Sequence, residues 1–172
     1  MTRHARIIRL AASGALWLAL LVVHVAPAAA QGAGTGGSVR VGVTFGGIST
    51  VGLSVEYVNE FRSVDLTFGT WSFRDLSSAV VVRQYFGAGN LLPFVGIGLW
   101  LVGAHPSGER TGFAAALHAP VGLDWQALED HYLGAVMDVN RALWVRRTDP
   151  EDDMPINRRL VPLPGVYYRW GR

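Results

Sequence analysis

From Ser38 onward the chain alternates, one residue at a time, between large apolar side chains and small or polar ones. Val39, Val41, Val43 and Phe45 are interleaved with Arg40, Gly42, Thr44 and Gly46. A period of two sends successive side chains to opposite faces of an extended strand, whereas a helix would scatter them around its axis. The same beat returns in Leu53, Val55 and Tyr57, then in Val64, Leu66 and Phe68, with turns expected at 47–50 and 59–61. The pattern therefore excludes a helical fold before any motif is considered.

The rest of the chain continues in this way. Residues 79–86 are apolar on both faces, and Val80, Val82 and Phe86 are assigned to the outer one. Gly87-Ala88-Gly89-Asn90 is a turn signal. Val95, Ile97, Leu99 and Leu101 share a face after Pro93, and residues 103–112 read as a polar loop. Phe113, Ala115, Leu117, Ala119, Val121, Leu123 and Trp125 follow, then a turn at 127–130. Leu133, Ala135, Met137 and Val139 form the next face. A long loop is expected over 146–164, and Val166, Tyr168 and Trp170 close the chain. This predicts an all-β domain of eight strands over 38–172, after a Gly-rich lead at 31–37.

Composition narrows the class. Of 172 residues half are hydrophobic, 16% are charged and 21 are glycine, which excludes a disordered tail. With no cysteine, a disulfide scaffold, a thiolate zinc site and a thiol nucleophile are excluded too. Arg3, Arg6 and Arg9 precede an apolar run over 10–25, and Ala28-Ala29-Ala30 offers a small-residue cleavage site. Residues 1–30 thus read as a cleaved secretory signal peptide. Its removal leaves 12 arginines against 13 carboxylates, a net −1. The excess of positive charge belongs to the signal, and nucleic acid is not an expected partner.

Two barrels can be made from such strands, and they are inside-out versions of each other. The apolar face carries no charge in the windows above. The opposite face carries Arg40, Glu56, Asp65, Arg83, His118, Asp124, Asp138 and Arg169 among Gly, Ala, Ser and Thr. A charge on a lipid-facing strand costs about 2–4 kcal/mol at mid-bilayer, so these groups are expected to share an interior. Buried charges require partners, and Arg40, Arg83 and Arg169 are predicted to pair with Glu56, Asp65, Asp124 or Asp138. A soluble sandwich with its charges facing water is the competing reading. Aromatic placement favours the membrane. With the N-terminus periplasmic, Phe45, Phe68, Trp71, Phe113 and Trp144 fall near the outer rim. Tyr57, Phe86, Trp125, Tyr168 and Trp170 fall near the inner one, as interfacial girdles do.

Several segments carry a family pattern. They are Tyr85-Phe86-Gly87 with Gly89-Asn90, Pro93-Phe94-Val95-Gly96-Ile97-Gly98, Val121-Gly122-Leu123-Asp124-Trp125, and the final Val166, Tyr168 and Trp170. In these the chain resembles the small eight-stranded outer-membrane β-barrels of Gram-negative bacteria, of the outer-membrane-protein-A-like transmembrane type. The resemblance implies an antiparallel up-and-down transmembrane barrel in the outer membrane with both termini periplasmic. It also implies outer-membrane lipids, lipopolysaccharide and the barrel-assembly machinery as partners. A monomer is expected. Gly171 and Arg172 follow the terminal aromatic, a departure from the family's end signal.

No residue set points to a metal or cofactor, since His105, His118 and His131 lack ligand spacing. Some barrels of the resembling type remove or transfer lipid A acyl chains. His105, Ser107 and Glu109 are the candidates for such chemistry here, against the plainer reading of a solvated loop. Asp149-Pro150-Glu151-Asp152-Asp153 lacks an EF-hand's glycine and spacing and reads as a solvated loop near Arg158 and Arg159. Three roles follow: a structural or interaction barrel of the cell envelope, a narrow porin-like solute conduit, and a lipid A-modifying enzyme. The first is preferred to the conduit because eight strands leave little aqueous space, and no catalytic role is expected because Pro106 separates His105 from Ser107 in a polar loop with Gly108, which does not promise a nucleophile within reach of its base.

Overall fold

The computed structural model describes residues 37–105, 111–147, 149 and 154–171. The expected signal segment and residues 31–36 of the lead lie outside them. Eight strands form in chain order: β1 (Ser38–Gly46), β2 (Ser49–Asn59), β3 (Arg62–Thr70), β4 (Asp75–Tyr85), β5 (Leu91–Ala104), β6 (Gly112–Leu128), β7 (His131–Arg146) and β8 (Val161–Gly171). Each pairs antiparallel with its neighbour, and β1 pairs with β8 to close a barrel. Closure satisfies every strand edge, which an open sheet of such apolar strands would leave exposed.

Alternation decides which side chains point in. Val43, Leu53 and Phe68 face outward across β1, β2 and β3, and Arg40, Glu56 and Asp65 face inward in the same way. In β4, Val80 and Val82 lie outside while Val81 is buried inside. This is how a run of three valines serves both faces. The barrel has a near end, where β1 begins and β8 finishes, and a far end at the opposite rim. Phe45, Phe68, Phe113 and Trp144 stand toward the far end; Tyr57, Phe86, Trp125, Tyr168 and Trp170 stand toward the near end.

Three features differ from the sequence-based expectation. First, β8 starts at Val161, inside the stretch expected to be loop through 164. Pro162 and Pro164 mask the strand, because proline lacks the amide a central strand needs. Here β8 pairs with β7 from Val161 but with β1 only from Gly165, so the prolines sit beyond the end of β1. Second, the loop expected over 103–112 is shorter, since Gly103, Ala104 and Gly112 are paired. Strands β5, β6 and β7 run for 14, 17 and 16 residues and make a tall wall above the shorter remainder. Third, the interior is not wholly polar. Tyr85, Phe94 and Tyr167 form a buried apolar cluster with Leu92 and Val136 packed against it. Gly134 makes that cluster possible, because a Cβ there would collide with the Tyr167 ring.

The β1–β2 turn bends over the lumen. Ile48 and Ser49 are buried, Ser77 Oγ–H donates to the Ile48 carbonyl at 2.7 Å, and the Gly47 amide donates to the Pro164 carbonyl at 2.8 Å. Gly47 has φ of +67°, and its Cα faces the Asp138 carboxylate so closely that a side chain would not fit. Sequence reasoning placed a turn here without assigning it an inward role.

Candidate functional site

The ionisable residues of the inner face converge in the lower lumen. Register sets the first step: Glu56 lies directly across from Arg40 on one side and Asp65 on the other. Arg169 reaches over from β8. Its Nη1 meets Glu56 Oε2 at 3.1 Å, its Nη2 meets Asp65 Oδ2 at 2.5 Å, and its Nε donates to Ser54 Oγ at 3.3 Å. Arg40 Nη1 lies 3.0 Å from Asp124 Oδ2 and 3.6 Å from Glu56 Oε2. Arg83 stands 3.5 Å from Asp65 and 3.8 Å from Glu56, close enough for charge attraction but without a hydrogen bond from its Nη1.

The carboxylates receive neutral donors as well. Ser63 and Tyr85 hydroxyls both donate to Glu56 Oε1 at 2.6 Å, the Tyr167 hydroxyl donates to Asp124 Oδ1 at 3.1 Å, and Thr67 donates to Asp65 Oδ1 at 2.8 Å. Rings cover the guanidiniums. Arg40 lies 3.7 Å above the Tyr132 centroid, Arg169 lies 4.0 Å from that of Tyr167, and Arg83 lies 4.8 Å from that of Phe94. Arg169 and Glu56 are each 0% exposed. Pairing and hydrogen bonds must offset a large desolvation cost for both.

His118 belongs to a second, smaller group. Its Nδ1 sits 2.8 Å from Asn140 Oδ1, and its Nε2 sits 3.6 Å from Asp138 Oδ1. Asn140 donates in turn to the Asp138 carbonyl at 2.9 Å. Thus Asp138 joins His118 and the inward turn, while Asp124 joins Arg40 and Tyr167. Between the two groups lies a small cavity of about 30 Å³, lined in part by Thr44, Arg83 and Asp138. Thr44 Oγ1 and two Arg83 nitrogens have no protein hydrogen-bond partner, and the space accommodates one or two water molecules.

Interior residues with a part in these groups that the sequence alone does not assign are Ser54, Ser63, Thr67, Tyr85, Phe94, Tyr132, Asn140 and Tyr167. Parity alone marks them as inward, but which charge each serves depends on side chains reaching across the barrel. The loop candidates fare differently. His105 Nδ1 lies 2.9 Å from Thr111 Oγ1, and Ser107 and Glu109 lie outside the described residues. So does most of the acidic run at 149–153. Among the described residues no group of three or more His, Cys, Asp and Glu has metal-binding geometry. Trp71, expected in the far-end girdle, instead lines a cavity at the mouth of the barrel together with Trp100.

No protein-family model matches the chain, and no curated protein matches it. Among solved structures, the crystal structure of Neisserial surface protein A (NspA) aligns with 78% of this chain and 92% of that one, at 14% identity and a TM-score of 0.43. This is a likeness in outline, and the barrel is defined by the chain's own strand pairing.

Proposed function

We propose that the chain is an integral outer-membrane barrel with a closed lumen, serving a structural or interaction role in the cell envelope. The polarity of its wall carries this reading. Leu53, Ile97, Leu99, Leu101 and Val166 are each more than half exposed on the outside, while eight ionisable residues are buried inside. A contiguous apolar surface of this extent is incompatible with water and suited to lipid. Among the described strand residues Arg62 opens β3 and Arg146 closes β7 at the rims, while Arg141 faces outward beside Leu117, five residues in from the far end of β7. Long arginines there reach the headgroup layer by snorkelling.

In this reading residues 1–30 direct export, both ends of the barrel domain face the periplasm, and assembly uses the barrel-assembly machinery. Lipids and lipopolysaccharide surround the wall. The inward turn and the arginine–carboxylate network support a closed barrel over a porin-like conduit. Fractionation provides the main test: the protein should pellet with outer membranes, resist alkaline extraction and need detergent to leave. A protein that stays folded in the aqueous fraction would overturn the membrane assignment. Planar bilayers should show no stable unit conductance, and a reproducible one would establish the conduit instead. The lipid A of cells with and without the protein should have the same mass spectrum, and a change in acylation would reinstate the enzyme.

A further inference from the structure

Above the packed charges the interior changes character. The far-end mouth of the barrel contains a cavity of about 370 Å³, within the range of small-molecule sites. Its wall is built from Ala114, Ala116 and Ala142, where inward residues lower down are arginines and aromatic rings. Trp100 is held in place there, since its Nε1–H donates to Ser77 Oγ at 2.8 Å and Ser77 is bonded to the inward turn. Trp71 adds a second indole, and the carbonyl of that residue is fixed by the Thr50 hydroxyl at 3.0 Å.

The polar groups of the lining are mostly engaged. Asn140 is committed to His118, Asp138 and Val161. Asn157 Oδ1 accepts the Arg159 amide at 3.1 Å. Arg159, exposed on the segment before β8, is the one cation among the residues that line this mostly apolar pocket. The lining takes Ala114–Ala116 of β6 and Asn140 and Ala142 of β7, about 7 Å along each strand. A flat ring fits that span, while an extended acyl chain would protrude.

We propose that this vestibule binds a small organic anion with a flat apolar body, of the aromatic carboxylate class, its ring against the indoles and its carboxylate on Arg159. Recognition then combines stacking and apolar burial with one charge-assisted contact. The site follows from the barrel's interior and does not depend on where the barrel resides.

Titration of the detergent-solubilised protein, ¹⁵N-labelled at tryptophan, with naphthalene-2-carboxylate tests this. The indole N–H signals of Trp71 and Trp100 should shift saturably while those of Trp125, Trp144 and Trp170 stay still. Arg159→Gln should weaken the carboxylate about tenfold, the loss of one hydrogen bond to a charged group, and leave the neutral 2-naphthylmethanol unchanged. Filling the cavity with Ala142→Leu, or with Ala114→Leu should the first variant misfold, should abolish the saturable shift. Equal, unsaturable shifts at every indole would mean partition into detergent and overturn the proposal. So would unchanged binding in the filled variant. Octanoate binding as tightly as the naphthoate would overturn the aromatic assignment.

Discussion

The lower lumen, whose charges come mainly from β1–β4 with Asp124 of β6 and Arg169 of β8, and the far-end vestibule, walled by β5–β8, share one barrel interior, yet they are built on opposite plans. Below, the single side chain of Arg169 meets Ser54, Glu56 and Asp65 at once, and the Tyr167 ring lies over its guanidinium. Above, alanines leave about 370 Å³ unfilled. Part of the barrel is therefore specified tightly by mutual charge and packing, and part is left adaptable. An interior filled throughout would suffice for stability, so the hollow calls for a separate explanation. The proposed ligand supplies one.

The contrast yields a graded series of effects. The largest should come from Arg169→Met, which leaves Glu56 and Asp65 buried without their main counter-charge. A loss of about 3–5 kcal/mol is expected, read as a lower urea midpoint in detergent or a collapse of folding yield. Adding Asp65→Asn should restore much of it, because Arg40 and Arg83 then still balance Glu56 and Asp124. If Arg169→Met alone were neutral, the lumen network would not hold the barrel together.

A single methyl provides the next comparison. Gly134→Ala drives a Cβ into the Tyr167 ring and should cost about 1–3 kcal/mol in the same unfolding assay. The far-end turn is more forgiving. Asp75 accepts hydrogen bonds from the Trp71 and Ser72 amides and from the Thr70 and Ser72 hydroxyls. Water can replace part of that set, so Asp75→Ala should cost about 1 kcal/mol, with greater proteolysis between β3 and β4. The smallest effect is expected from Ala142→Leu, which adds three carbons where there is room for them. Its urea midpoint should match the parent's to within about 0.5 kcal/mol. A penalty as large as that of Gly134→Ala would show that the vestibule is packed after all.

Much of the fold was legible because a period of two is a local property. Each residue's side follows from its neighbours, so the strands and the central valines of β4 could be read in order. Boundaries failed where a residue's local preference disagreed with its partners. Pro162 and Pro164 argued for loop, and only the end of β1 explains why prolines are tolerated there. Ile48 read as part of a turn because nothing local tells an inward turn from an outward one. The arginine partners were legible as a set but not as pairs. Glu56 is bound by a residue 113 positions away, at a distance set by closure of the barrel.

The sequence by itself determined the strand period, the two faces and which of them carries the charges, since these depend only on alternation along an extended chain. Tertiary structure decided the rest. Closing β1 onto β8 brought Arg169 to Glu56 and Asp65. Bending the first turn inward laid Ile48 over the lumen. The unequal heights of the strands opened an alanine-lined vestibule beside Trp71, Trp100 and Arg159. Each depends on how distant strands meet across the interior, and alternation within one strand carries no information about that.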